Sequence, residues 1–357
     1  AIGKRKFIND MFFEGMLYGA LRFSDYPKAK VLKIDISEAE KSEGVVRIFT
    51  SKDIPGNKIT GLIFNDWPLM ISEGEITRYI GDVLAGVVAD SKENAQKAAA
   101  KIKVEYEVYE PVTDVHEALK ENAPQVHPNK SNLLDNCVLK QGNADEVIAS
   151  SAYKFHGVFQ TQRIEHAFLE TETAIALPDN DGILLYSSGQ GIYEDRRQVA
   201  QLLNLPEEKV RVILVPNGGG FGGKEDITVQ GHVSLFAYRL KKPVKLTLTR
   251  EESLRMHPKR HPVWIDMTLT CDEKGKLTAM KLRAIGDTGA YASVGNKVME
   301  RIAGHATGGY FVPVIDLESK TVYTNNIPCG AMRGFGANQA AFALEACIDE
   351  LCKQGGF

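Results

Sequence analysis

Cysteine pairs are missing from this sequence. Its five cysteines, Cys137, Cys271, Cys329, Cys347 and Cys352, are odd in number and contain no C-x-x-C. That argues against a disulfide framework, a zinc knuckle and an iron–sulfur cluster held by this chain alone. Cys347 and Cys352 fall in a predicted helix and are expected to be buried thiols. Excess charge of one sign is missing too. The 43 basic and 46 acidic residues nearly cancel, leaving no electrostatic footprint for nucleic acid or an anionic membrane. No apolar run approaches the ~18 residues that a membrane-spanning helix needs. The basic opening, Gly3-Lys-Arg-Lys6, is interrupted by Asp10 and Glu14 where a signal-peptide core would run, so the expected location is cytoplasmic. The first residue is Ala1 rather than Met, as expected of a processed product or an excised fragment. His257 and His261 have a helical metal-ligand spacing, but Pro258 and Pro262 bar a regular helix there, so this stretch reads as a structural loop.

Glycine, in contrast, is concentrated. Residues 217–225 read Asn-Gly-Gly-Gly-Phe-Gly-Gly-Lys-Glu, after the apolar run Val210 to Val215. Such a loop lets backbone N–H groups converge on an anion and come very close to a ligand. Gly218, Gly220 and Gly223 satisfy the dinucleotide spacing G-x-G-x-x-G, yet the acid needed about 20 residues later is displaced to Glu251. Gly218, Gly223 and Lys224 satisfy the triphosphate-loop spacing, yet Glu225 stands where a magnesium-binding Ser or Thr belongs. A phosphate-bearing cofactor is the expectation, and nucleotide binding by a P-loop or Rossmann-type enzyme stays open as an alternative.

At 357 residues the chain has room for two or three domains. The first ~120 residues alternate strand and helix patterns, with strands at 16–21, 31–36, 82–88 and 104–109 and a helix over 91–102 capped by Ser91. They predict a compact α/β or α+β domain. Pro111, Pro124 and Pro128 mark a linker near 111–134. The remainder reads as one larger α/β unit. It has strands at 182–187, 210–215 and 244–249 and helices over 145–152, 193–203, 226–240 and 338–353. A hairpin joins 263–271 to 276–284.

Four segments in order resemble the molybdenum hydroxylases, the family of xanthine dehydrogenases and aldehyde oxidoreductases. They are Ser187-Ser-Gly-Gln190, Gly218-Gly-Gly-Phe-Gly-Gly-Lys-Glu225, Met299-Glu-Arg301 and Ala331-Met-Arg-Gly-Phe-Gly336. The likeness covers essentially the whole chain and matches the N-terminal half of the molybdopterin-binding large subunit. It implies an α/β hammerhead-like domain over 1–120 and part of the molybdopterin-binding α/β domain over 121–357. It also implies a molybdenum cofactor that inserts water-derived oxygen at an electron-poor carbon, with the protein supplying placement and electrostatics.

The resemblance implies roles residue by residue. Gly220, the amides of Phe221 and Gly222, and the backbone N–H of Arg333 are expected to face the cofactor. The Gln190 side-chain amide is expected to donate to a molybdenum oxo group, with no protein atom coordinating the metal. Glu225 and Arg301 fall where the purine-hydroxylating branch grips opposite edges of its substrate, and Phe335 falls where that branch stacks an aromatic on the ring. A fixed guanidinium opposite the attacked carbon stabilises developing negative charge. The implied substrate is therefore a purine of xanthine or hypoxanthine type, with another N-heterocycle or an aldehyde as the alternative. The family's second half brings a further glycine loop, a second stacking aromatic and a general-base glutamate, none with a counterpart in 1–357. The chain is expected to be inactive without that half, and to need partners carrying [2Fe–2S] clusters and FAD.

Overall fold

The computed structural model describes residues 3–357. The chain forms a mixed α/β structure divided into two compact units that alternate along the sequence. One takes the stretch up to Pro111 together with His166–Pro258 and Asn325–Pro328. The other takes Val112–Glu165, Lys259–Thr324 and Cys329–Phe357.

The first unit is built on a seven-stranded mixed sheet. Its order is Val210–Leu214, Gly182–Ser187, Thr173–Asp179, Val244–Thr247, Leu17–Phe23, Val83–Ala89 and Val45–Thr50. Every residue of Val83–Ala89 is buried, which is why this interior strand is apolar without alternation. The helix Val229–Leu240 packs on the sheet through Val229, Val233, Phe236 and Ala237, and Phe236 stacks on Phe49 at 4.8 Å. The helix Lys92–Ala99 begins as the sequence predicts, the Ser91 hydroxyl accepting from the Asn94 N–H at 3.2 Å. It buries Ala95, Ala98 and Ala99 in a separate cluster of small residues with Ala20, Ala85 and Ala89.

The second unit holds a five-stranded sheet. Its order is Leu133–Gln141, Val314–Tyr323, Leu277–Gly289, Val263–Cys271 and Tyr153–Gln160. The expected hairpin is present, its turn fixed by the Asp272 carboxylate accepting from the N–H groups of Lys274 and Lys276 at 2.9 Å each. Met299 and Ile302 from the helix Gly295–Gly304 join Ala340, Ala343, Leu344 and Cys347 from the helix Ala337–Gly355 in the core. Gly356, left-handed at φ +69°, ends the latter helix. All five cysteines are free, and Cys352 is only half-buried where full burial was expected.

Two expectations differ from the structure in detail. The helix expected from Asp226 starts at Val229, where the Gln230 side-chain oxygen reaches back to accept the N-cap Thr228 N–H at 2.9 Å. The stretch 111–134, read as a linker, follows a boundary between the units at Pro111 but is packed rather than free-standing. It carries the short helix Val115–Ala118, and Val112, Ala118 and Val126 are buried against Val322 and Tyr323.

Candidate functional site

In the first unit, the strand Val210–Leu214 delivers the chain to the loop 215–228, and the strand Gly182–Ser187 delivers it to Gln190. These two segments are laced together. The Gln190 N–H donates to the Lys224 carbonyl at 2.7 Å, and the Gln190 side-chain oxygen accepts from the N–H groups of Gly222 at 2.9 Å and Lys224 at 3.3 Å. With Oε1 committed, the Gln190 NH₂ group is turned away from the loop as a donor. Gly220 sits so tightly under this side chain that a Cβ would lie 2.5 Å from Oε1. Gln190 and Asn217 line a cleft of about 500 Å³ with Leu214, Pro216 and Arg5.

The loop backbone enters the left-handed region three times. Gly219 (φ +99°), Phe221 (φ +53°) and Gly222 (φ +97°) are left-handed, while the N–H groups of Gly222, Gly223 and Lys224 are donated within the protein. Phe221 holds this conformation without glycine's freedom, at a cost of about 1–3 kcal/mol, so its surroundings fix it. Of the two amides expected to face a cofactor, that of Gly222 is donated to Gln190 instead.

Lys224 points inward. It is 3% exposed, pairs with Glu170 at 3.3 Å and lies over the Phe168 ring at 4.7 Å. Glu170 also accepts the Gly218 N–H at 2.8 Å, so one buried carboxylate ties both ends of the glycine run. This geometry overturns the triphosphate-loop alternative, which needs an outward lysine and a helix starting at that point. Nothing in the local sequence around Glu170 marks it for this duty. Next in the chain, Glu225 is half-buried, and burial raises its carboxyl above the ordinary range.

Behind Gln190 lies a second polar cluster that sequence reasoning missed. Asp195, in the helix Ile192–Leu203, is 1% exposed and accepts from the Ser187 hydroxyl at 2.7 Å. Burial pushes its carboxyl up to about 7; Glu194 adds to the rise, and hydrogen bonds from Ser187 and Gln230 oppose it.

In the second unit, Arg301 and Phe335 meet. The Arg301 guanidinium, exposed on the helix Gly295–Gly304, lies 5.5 Å from the centre of the Phe335 ring. Arg333 is exposed in the same loop as Phe335, and its carbonyl accepts from Arg260 at 2.8 Å. Arg260, only 8% exposed, also reaches Asn338 at 3.1 Å, bracing the loop from beneath. Phe335 is left-handed at φ +43°, between Gly334 and Gly336 at +96° and +92°.

A glycine-rich cradle with an amide donor beside it thus occupies the first unit, and a guanidinium over an aromatic ring the second. Residues 126–357 match the family model described as a molybdopterin cofactor-binding domain. Residues 2–110 match that of the aldehyde oxidase and xanthine dehydrogenase a/b hammerhead domain. The chain belongs to this molybdenum hydroxylase family. It is 38% identical to a probable xanthine dehydrogenase subunit of Bacillus subtilis, over 98% of this chain and 47% of the relative. It is 37% identical to the nicotinate dehydrogenase large molybdopterin subunit of Eubacterium barkeri, over 99% of this chain and 83% of that subunit. The aldehyde oxidoreductase of Desulfovibrio gigas superposes with a TM-score of 0.93 at 29% identity, over 97% of this chain and 39% of that one. The chain thus spans about half or less of two of these three proteins.

The residues fit the family's cofactor. The Phe221 amide has no acceptor among the described residues, the cradle at Gly220 has no room for a Cβ, and the Gln190 NH₂ is left as a donor. Among the described residues no helix is long and apolar enough to cross a membrane.

Proposed function

We propose that this chain is the N-terminal part of a molybdopterin subunit that hydroxylates a purine of xanthine or hypoxanthine type. When bound, the cofactor supplies oxygen insertion at an electron-poor carbon and accepts the substrate's electrons. The chain's own residues bind and orient. Gln190 donates its NH₂ to the cofactor, with Gly220, Phe221, Gly222 and the Arg333 backbone around it. Glu225, Arg301 and Phe335 hold the substrate, and 1–120 and 121–357 are the hammerhead-like and cofactor-binding domains.

The observation that carries the purine reading is the Arg301–Phe335 pair. An exposed cation held over an aromatic suits a flat ring that gains negative charge on attack. A half-buried carboxyl of raised pKa at Glu225 can donate or accept at a ring edge. Replacing Arg301 by Met in the assembled enzyme is expected to lower purine turnover by about 10². Steady-state rates with xanthine equal to those of the unaltered enzyme would remove this assignment.

Activity requires the remaining part of the molybdopterin-binding region, an iron–sulfur partner carrying [2Fe–2S] clusters and a flavin partner. Metal analysis of the native complex isolated through this chain is expected to give molybdenum with iron in excess; absence of both metals would sink the reading. Five free cysteines agree with a reducing, cytoplasmic setting. A second reading, hydroxylation of a pyridine carboxylate, is favoured by the 83% coverage of the nicotinate dehydrogenase subunit. Rates on purines, nicotinate and aldehydes under one electron acceptor separate the two.

A further inference from the structure

Asp195 is a buried carboxyl that the proposed reaction does not use. Its neighbours join three elements of the first unit. Ser187, the last residue of the strand Gly182–Ser187 and itself fully buried, donates to Asp195 and accepts the Gly189 N–H at 3.0 Å and the Gln230 side-chain NH₂ at 3.4 Å. Gln230, on the first turn of the helix Val229–Leu240, receives Thr228 with its other end, through the N–H at 2.9 Å and the hydroxyl at 3.3 Å. Gly189 is closed in by the same three residues. A Cβ there would lie 3.0 Å from Asp195, 3.0 Å from the Ser187 oxygen and 3.1 Å from the Gln230 nitrogen.

The cluster therefore touches both segments that frame the cradle, one residue before Gln190 and at Thr228, where the glycine loop leaves. A buried carboxyl with no cationic partner is expensive to keep. An alanine or leucine there would serve packing alone, whereas only an acceptor at this point can fix the Ser187 hydroxyl so that its lone pairs face Gly189 and Gln230.

We infer that Asp195 is a positioning residue, which through Ser187 and Gln230 clamps the Gly189–Gln190 peptide to the exit of the glycine loop and so aims the Gln190 carboxamide. The inference rests on the reading of Gln190 as the group that faces the cofactor, but its test reads the clamp directly.

Amide hydrogen exchange on the complete protein, without cofactor, follows the N–H groups of Gly189, Gln190, Gly223 and Lys224. Asp195→Leu is expected to speed their exchange by about tenfold or more, with the interior strand Val83–Ala89 unchanged. Asp195→Asn keeps an acceptor for Ser187 and is expected to retain most of the protection. Ser187→Ala, a smaller change, should reproduce the loss and serves where Asp195→Leu does not fold. Unchanged exchange at all four amides in Ser187→Ala, or a loss spread equally through Val83–Ala89, overturns the inference. The reading of Gln190 fails separately: Gln190→Ala would then leave the cofactor's absorption spectrum unaltered whatever the exchange rates show.

Discussion

Lys224 and Glu170 hold the glycine loop by a buried charge pair rather than by apolar packing. Removing one partner of such a pair strands the other charge, at a cost of about 3–5 kcal/mol. Lys224→Met is therefore expected to lower the urea midpoint well beyond the loss of one side-chain contact, and Lys224→Met with Glu170→Leu to recover part of it. A single variant as stable as the unaltered protein would mean that the pair contributes little. The sequence displayed Lys224 only as a motif residue facing a phosphate. Its inward turn depends on Glu170, more than 50 positions away, and no local pattern reports so distant a partner. Gln190, Arg301 and Phe335 were nameable because they sit in motifs. Asp195 and Gln230 were not, since each looks like an ordinary polar residue until the fold brings it to Ser187, which the motif contained without disclosing its role.

The loop Ala331–Gly336 shows how tightly an element is fitted to its neighbour. A Cβ at Gly336 would lie 2.3 Å from the Val298 carbonyl in the helix that carries Arg301, and φ there is +92°. Gly336→Ala is expected to cost about 1–3 kcal/mol and to push Phe335 off Arg301. The check is a urea midpoint together with the ring's near-ultraviolet circular dichroism. No change in either would show that the loop yields freely. Elements with strong periodicity or clear caps were legible in sequence, including the helix Lys92–Ala99, the hairpin strand Val263–Cys271 and the helix Ala337–Gly355. The strands Leu133–Gln141 and Val314–Tyr323 and the helix Gly295–Gly304 were not. Leu133–Gln141 is a sheet edge whose residues are all exposed or half-buried, so it lacks an apolar face to announce it. Gly295–Gly304 begins and ends on glycine, which local propensity reads as loop.

The pH response of the whole molecule sums opposing groups. Burial keeps His232 neutral down to about 4 and His261 down to about 3, with nearby Arg163 and Arg260 also lowering His261. Unfolded imidazole takes a proton first, so stability present above about 6.5 is lost as pH falls toward those values. Asp195 acts the other way. Its folded pKa is raised to about 7, so its contribution is full below the ordinary carboxylate range and is lost as pH rises through neutrality. The urea midpoint of Asp195→Asn minus that of the unaltered protein is expected to climb between about pH 4 and 7 and then level off. A difference independent of pH would show that the carboxyl titrates normally.

The alternating units bear on synthesis of the chain. A polypeptide that has reached Glu165 contains the strands Leu17–Phe23, Val45–Thr50 and Val83–Ala89, but four of the seven in its first sheet are still to be made. The fully buried Val83–Ala89 already has both strand partners, but the face that Phe236 will cover is bare, and Leu17–Phe23 has an open edge where Val244–Thr247 will pair. Domains whose residues are contiguous can fold as they leave the ribosome, but here neither unit is complete before Pro328 has emerged. The nascent chain thus passes through most of these residues with open strand edges, a state in which a chaperone has the most to protect.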